Sequence, residues 1–331
     1  MSVYSCSVCK FRYDEWIGDT KNGVPPRVAF SKLAGSVCTT CGMQGEGRHL
    51  QVPEIKYSGL EAAYYDQFAG KAGIVFYREW LLQESSPVTV LELGVGTGRI
   101  ASELAENQLP VCGVDWSPDM LEIAERKKKR VRKESRHLLE LVEQDVWELD
   151  LQRQFTHVIL PEGLFQQAIT RLEQRRLLNI IKQHLTEDGT VAIDILMPPL
   201  RESWRTKQKK FVFPDRMVYQ LVEGETSLVQ QKFRYTLTYE TFLDQIEQPR
   251  YRVEREMALL LPGEMELLLE SEGFHLVTAF ENYQTDVHRS LDEGYDRDRW
   301  QRGGYPFVPS EVDAAGSTRW TVIAKKKSVN V

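Results

Sequence analysis

The stretch VTVLELGVGTGRI (88–100) decides the fold. Its first half is a short apolar run with β-branched residues, which reads as a buried strand. Glycines at 94, 96 and 98 follow without a break, and a helical pattern starts at about residue 98. A strand that turns on glycines straight into a helix opens an α/β unit. The glycines let a ligand approach the backbone, and the helix N-terminus supplies free N–H groups. The spacing is G-x-G-x-G and residue 99 is Arg, so the dinucleotide pattern G-x-G-x-x-G is not met. Glu92 stands two residues before the first glycine. A carboxylate there suits a ligand with an ammonium group or hydroxyls better than a pyrophosphate.

Outward from this turn the rhythm continues. VCGVD (111–115) reads as a strand, Ser117-Pro118 as the N-cap and first position of a helix, and 139–144 as a third strand. FTHVIL (155–160), a helix at 171–185 and TVAIDI (190–195) follow, and 72–83 is a helix upstream. Near-continuous apolar strands alternating with helices predict an α/β fold, a parallel sheet covered on both faces. From about 200 to 258 the period changes to two, as in Phe233, Tyr235, Leu237 and Tyr239, and predicts an inserted antiparallel sheet. The helix GEMELLLESEGF (263–274), closed by Gly273, and strands HLVTAF (275–280) and RWTVIAKK (319–326) resume the α/β pattern. Residues 283–317 form a long connection that carries His288, Trp300, Tyr305 and Phe307; loops this long are usually functional or disordered.

Acids fall at three successive strand ends: Glu92, Asp115 and Asp145. An acid where Asp115 stands can accept both hydroxyls of a ribose, and Trp116 beside it can pack on an adenine face. Each acid alone could simply cap its turn; three of them point to one ligand crevice.

This set resembles the class I S-adenosylmethionine-dependent methyltransferases, over about residues 57–326. The resemblance implies a Rossmann-like sheet and the following roles. Gly94, Gly96 and nearby backbone, with Gly98 in the same turn, flank the methionine part of the cofactor, and Glu92 supports that loop. Asp115 binds the ribose hydroxyls and Trp116 packs on adenine. Asp145 accepts from the adenine amino group while the Val146 backbone reads the ring. The backbone near Leu160 and Pro161 meets the methionine amino group, and Tyr65-Asp66 resembles the segment that folds over the cofactor. No residue is assigned as general base. Glu162, just after the fourth strand, and His288 in the long loop are the candidates, each with a solvated loop side chain as its plainer reading; His157 begins a buried strand and reads as structural.

Four of the five cysteines, Cys6, Cys9, Cys38 and Cys41, fall within the first 41 residues as two CxxC pairs. Two such turns facing each other complete a tetrahedral four-thiolate site suited to iron or zinc. The surrounding Tyr4, Tyr13, GDTKNGVPP (18–26), Phe30 and CTTCG make the segment resemble rubredoxin, which implies a single iron on these four ligands. Three features depart from that family. Lys10 stands where a glycine is expected, LAGS (33–36) replaces an aromatic-acidic stretch, and residues 1–50 carry six basic and four acidic side chains, a local charge of +2. The metal therefore reads equally as a redox centre or a structural clip. The expected division is a metal-binding module at 1–48, a linker within 42–59, and a methyltransferase domain over 49–331.

Composition bounds the rest. The 331 residues carry a net charge of −6, a poor match to tight nonspecific nucleic-acid binding. RKKKRVRKESR (126–136) reads as a solvated helix face. MPPL (197–200) is similar to a proline motif of amino-methylating DNA enzymes, but it follows the fifth strand rather than the fourth, so no DNA substrate is expected. No run approaches the roughly 18 apolar residues of a membrane helix, and no signal-peptide pattern opens the chain, so a cytoplasmic protein without a membrane partner is expected. The functional expectation is methylation of a small molecule. An RNA methyltransferase whose metal module grips its substrate is the alternative, and a non-catalytic metal or redox sensor is a third.

Overall fold

The computed structural model describes residues 3–6, 11–15, 18–25, 27–33, 38–42, 49–52, 57–85, 87–248, 250–283 and 318–327. Strands β1 (Val3–Cys6), β2 (Arg12–Asp14) and β3 (His49–Val52) form a small antiparallel sheet in the order β2-β1-β3. Tyr4 stacks on Phe30 at 4.4 Å between ring centroids, and Tyr13 tilts against the same ring at 5.6 Å. The aromatic residues shared with rubredoxin are thus the module's core. The expected linker at 42–59 is not all linker. His49–Val52 pairs antiparallel with β1 along its whole length, so the module's backbone runs four residues beyond 48.

Helices α1 (Gly59–Ala69) and α2 (Ala72–Leu82) lead into the main sheet. Its parallel strands and helices follow as β4 (Val90–Leu93), α3 (Arg99–Glu106), β5 (Val111–Asp115), α4 (Pro118–Lys128), β6 (Leu139–Glu143), β7 (Phe155–Leu160), α5 (Arg171–His184) and β8 (Leu185–Met197). The insert comprises β9 (Ser203–Arg205), β10 (Lys209–Val212), β11 (Arg216–Ser227), β12 (Lys232–Leu243), β13 (Ile246–Glu247) and β14 (Tyr251–Ala258). Then come α6 (Pro262–Ser271), β15 (Phe274–Glu281) and β16 (Thr318–Lys326). The main sheet runs β15-β16-β8-β7-β4-β5-β6, with β16 antiparallel to both neighbours. The chain reverses direction across the sheet between β4 and β7, and ligands of such sheets bind at the strand ends beside that switch.

Burial follows the alternation along each strand. Leu91, Val158 and Val191 pack with Leu177 and Ile181 of α5 and Leu268 and Leu269 of α6 on one face. Val90, Val111 and Ile159 pack with Phe76, Ile100, Leu104 and Leu121 of α2, α3 and α4 on the other. The basic run is not one helix face, since α4 ends at Lys128 and residues 129–136 continue outside it. Lys127 is not simply solvated: its Nζ lies 2.6 Å from Asp66 and donates to Thr97 at 2.9 Å. No described helix is long and apolar enough to cross a membrane.

Candidate functional site

The glycine turn shapes the floor of a cavity of about 200 Å³ at the ends of β4, β5 and β7. Gly94 and Gly96 line it, and both have positive φ (66° and 53°). A Cβ on Gly96 would meet nothing nearer than 3.9 Å, so that backbone is open to a ligand. Gly98 does different work. A Cβ there would stand 3.0 Å from Ala124 Cβ, so this glycine lets α3 pack against α4.

Asp115 ends β5 and is 8% exposed. Its Oδ2 accepts from Gly96 N at 2.8 Å and its Oδ1 from Ser117 N at 2.9 Å. Each oxygen keeps further acceptor capacity towards the cavity. Burial raises the carboxyl above its ordinary value, against hydrogen bonds from the backbone of Ser117, Gly96 and Trp116. Ser117 caps α4 as expected, accepting from Met120 N at 3.3 Å. Trp116 lies 41% exposed on the wall. Asp145 caps the short turn after β6, with Oδ1 accepting from Trp147 N at 3.0 Å, and also lines the cavity with Val146. The capping and ligand-facing readings of this acid are therefore compatible.

The other wall comes from the turn before α1, α1 itself and the turn after β7: Tyr57, Tyr65, Pro161 and Glu162. Segment 57–69 is tied down at its start, where Ser117 Oγ donates to Tyr57 O at 2.9 Å and Gly59 N to Asp119 at 2.7 Å. Three expected residues lie behind the wall and do not line the cavity: Glu92, Gly98 and Leu160. Glu92 is 2% exposed and its Oε2 has no hydrogen-bond partner among the described residues. Burial pushes its carboxyl up to about 8, opposed by Arg99 and a hydrogen bond from Ala101 N.

A second cavity, about 130 Å³, lies between α1, the end of β8 and the insert. Phe68, Trp204, Phe233, Tyr235 and Tyr239 line it together with Gln220 and Arg319. Tyr57, Tyr65 and Glu162 line both cavities. Glu162 is not a solvated loop carboxylate. Its φ is +56°, and its oxygens accept from Arg99 Nη2 at 3.1 Å and Arg319 Nη2 at 2.6 Å. Its backbone N donates to the fully buried Asp194 at 2.9 Å. Tyr77 and Thr321 also donate to Asp194, at 2.9 and 2.7 Å. Burial raises the phenols of Tyr57 and Tyr65 above their ordinary value, which keeps both neutral at the boundary. His157 is buried, 3.8 Å from Glu84 and edge-on to Trp80, a structural placement. His288 lies outside the described residues, as do Trp300, Tyr305 and Phe307.

Reasoning from strand ends missed most residues of the second cavity, which come largely from α1, β9, β11, β12 and β16. The period-two pattern of 233–239 was a signal that one face of β12 is covered, but it does not say by what.

In the N-terminal module, the sulfur atoms of Cys6, Cys38 and Cys41 all lie within 4.8 Å of one another, and those of Cys6 and Cys41 are 3.8 Å apart. Bonds of about 2.3 Å to a tetrahedral metal place sulfurs about 3.8 Å apart, so the donor set fits iron or zinc. Cys9 lies outside the described residues. Asp19 ties the second CxxC turn to the preceding loop, accepting from Asn22 at 2.7 Å and from Thr39.

Comparison with known proteins agrees with both halves. Residues 3–46 match the Rubredoxin family and residues 90–189 match the family described as Methyltransferase domain. Among solved structures, the chain is similar to the CcbJ methyltransferase of Streptomyces caelestis (TM-score 0.61, 18% identity, covering 83% of this chain and 100% of that one). It is similar to the sugar N-methyltransferase KedS8 of Streptoalloteichus (0.60, 17%, 86% and 100%). It is also similar to the amino pentose methyltransferase CalS10 of Micromonospora echinaspora, solved with S-adenosylmethionine bound (0.56, 14%, 83% and 100%). The chain thus carries a rubredoxin domain over residues 3–46 and a methyltransferase domain over residues 90–189, on a fold it shares with S-adenosylmethionine-dependent methyltransferases.

Proposed function

We propose that this methyltransferase methylates a small molecule held in the second cavity, with transfer at the boundary the two cavities share. The observation that carries this reading is that Tyr57, Tyr65 and Glu162 line both cavities. Bound S-adenosylmethionine supplies an activated methyl group on a sulfonium. The remaining work of the protein is to align the nucleophile and exclude water.

In this reading the first cavity takes the cofactor. Gly94 and Gly96 present backbone to its methionine part, Asp115 accepts from the ribose hydroxyls, and Trp116, Asp145 and Val146 hold the adenine. Pro161 lies by the methionine amino group and Tyr65 covers it, while Glu92, Gly98 and Leu160 act from behind by shaping the loop. Glu162 anchors Arg99 and Arg319 at the boundary and is a positioning residue rather than a general base, because guanidinium groups occupy both its oxygens. The second cavity suits a ring, since aromatic side chains supply much of its wall. A sugar amine, the kind of acceptor named for two structural neighbours, fits this wall. In the N-terminal module, Cys6, Cys9, Cys38 and Cys41 hold one iron or zinc ion that acts as a structural clip.

Calorimetry tests the cofactor assignment. The intact chain binds S-adenosylmethionine, and Asp115→Ala weakens binding at least about tenfold, because charge-assisted hydrogen bonds are lost. Asp115→Asn, which keeps the shape and the backbone contacts in part, gives an intermediate loss. Unaltered affinity in both variants would refute the assignment.

A further inference from the structure

Glu61, Arg319 and Gln220 are the buried polar side chains that line the second cavity, and Gln220 is the one that carries no charge. Gln220 on β11 is 5% exposed and stands directly opposite Tyr239 of β12 in the register of the insert. Its Nε2 donates to the Tyr239 hydroxyl at 3.0 Å, while its Oε1 is buried with no hydrogen-bond partner among the described residues. Both residues line the cavity. Tyr239 is held in place by the rings of Tyr64, Phe68 and Tyr251, at 5.8, 5.9 and 6.3 Å. A buried carbonyl left unpaired is costly, so such a group calls for a partner that the described residues do not supply.

The pair presents a defined complement. Tyr239 accepts from the amide and keeps its own O–H to donate, while Gln220 Oε1 accepts. Turning the amide over exchanges the two roles and again leaves one donor and one acceptor. A group that both donates and accepts from one atom fits them together, and a hydroxyl is the simplest.

We propose that Gln220 and Tyr239 read a ring hydroxyl of the methyl acceptor and so determine substrate specificity. The inference rests on the second cavity being the acceptor site. The pair positions the acceptor and takes no part in the transfer. Sites that hydrogen-bond a substrate hydroxyl reject the analogue lacking it strongly, because their buried polar groups are then stranded.

The test uses the full chain and a panel of methyl glycosides of amino-deoxy hexopyranoses, each paired with analogues lacking one ring hydroxyl. The intact enzyme is expected to prefer one hydroxylated member over its deoxy partner by at least about a hundredfold in kcat/KM. Gln220→Met should reduce that ratio to a few-fold, through a raised KM for the hydroxylated compound and little change for the deoxy one. Affinity for S-adenosylmethionine should be unchanged. The melting temperature of the ligand-free variant should be unchanged or higher, since the unpaired carbonyl is gone. Tyr239→Phe, which removes the other half of the pair, should collapse the same ratio. An unchanged ratio in both variants would overturn the proposal, and so would a lowered melting temperature with the ratio intact, which would make Gln220 a structural residue bonded through water. If the intact enzyme binds S-adenosylmethionine but methylates no panel member, the sugar reading of the cavity fails and this proposal falls with it.

Discussion

Glu92 shows how one residue next to the glycine turn can set the pH response of the fold. Its carboxyl is buried, receives a hydrogen bond from Ala101 N, and is driven up to about 8 by loss of water. In the unfolded chain the same group titrates near 4.5. Between these values the folded protein holds a proton that the unfolded chain has released. The resulting stability is complete below about pH 4.5 and is lost as pH rises towards 8. Glu92→Gln keeps the shape and removes the titration. The ligand-free variant should therefore be more stable than the parent at pH 8, by at least about 1 kcal/mol, while the two converge near pH 4.5. Thermal melts across that range decide it, and parallel curves for the two proteins would show that Glu92 does not titrate there. Asp115 differs because its oxygens face both the backbone and the cavity, which is why its removal is read out in ligand affinity.

At the scale of elements, the join between the main sheet and the insert rests on Gln166, in the turn after β7. It is fully buried. Its Nε2 donates to Leu196 O at 3.0 Å and Ala258 O at 2.9 Å, and its Oε1 accepts from Leu196 N at 2.7 Å. One side chain thus satisfies backbone groups at the ends of both β8 and β14. Gln166→Ala strands all three in a buried place and should cost about 3 kcal/mol or more of stability, seen as a lower denaturant midpoint; a shift worth under about 1 kcal/mol would mean that the join relaxes or takes up water. The sequence made neither this link nor the second cavity visible, because both arise where segments distant in the chain meet. The main sheet was legible for the opposite reason. Strands buried on both faces are continuous apolar runs, so 111–115 and 155–160 read correctly to the residue. β8 begins at Leu185, five residues before the apolar run, because Glu187 and Asp188 are exposed and hide the strand. The sequence of His49–Val52 reads as linker because its strand character depends on pairing with β1, more than forty residues away. In the first cavity, strand-end positions could be read from spacing, whereas Tyr57 and Met120 enter only through packing.

Across the whole molecule, the two halves differ in what holds them together. The methyltransferase half has two extensive apolar clusters, one on each face of its sheet. In the N-terminal module, the described buried apolar side chains are Tyr13, Phe30, Cys6 and Cys38. A segment that small gains too little from apolar burial to offset its chain entropy, and metal–thiolate bonds make up the difference. Its charge also differs from the remainder of the chain, +2 over residues 1–50 against −8 over residues 51–331. Removing the metal with a chelator should therefore unfold residues 1–52 while leaving the sheet of the other half folded. Limited proteolysis should cut within the module, and S-adenosylmethionine affinity should stay within a few-fold. If the ion is a clip, zinc-loaded and iron-loaded enzyme should turn over at equal rates, and reducing the iron should change nothing, because a tetrahedral four-sulfur site holds either metal with nearly the same geometry. A rate that depends on the iron oxidation state would instead couple the module to the reaction by electron transfer and would displace the clip reading.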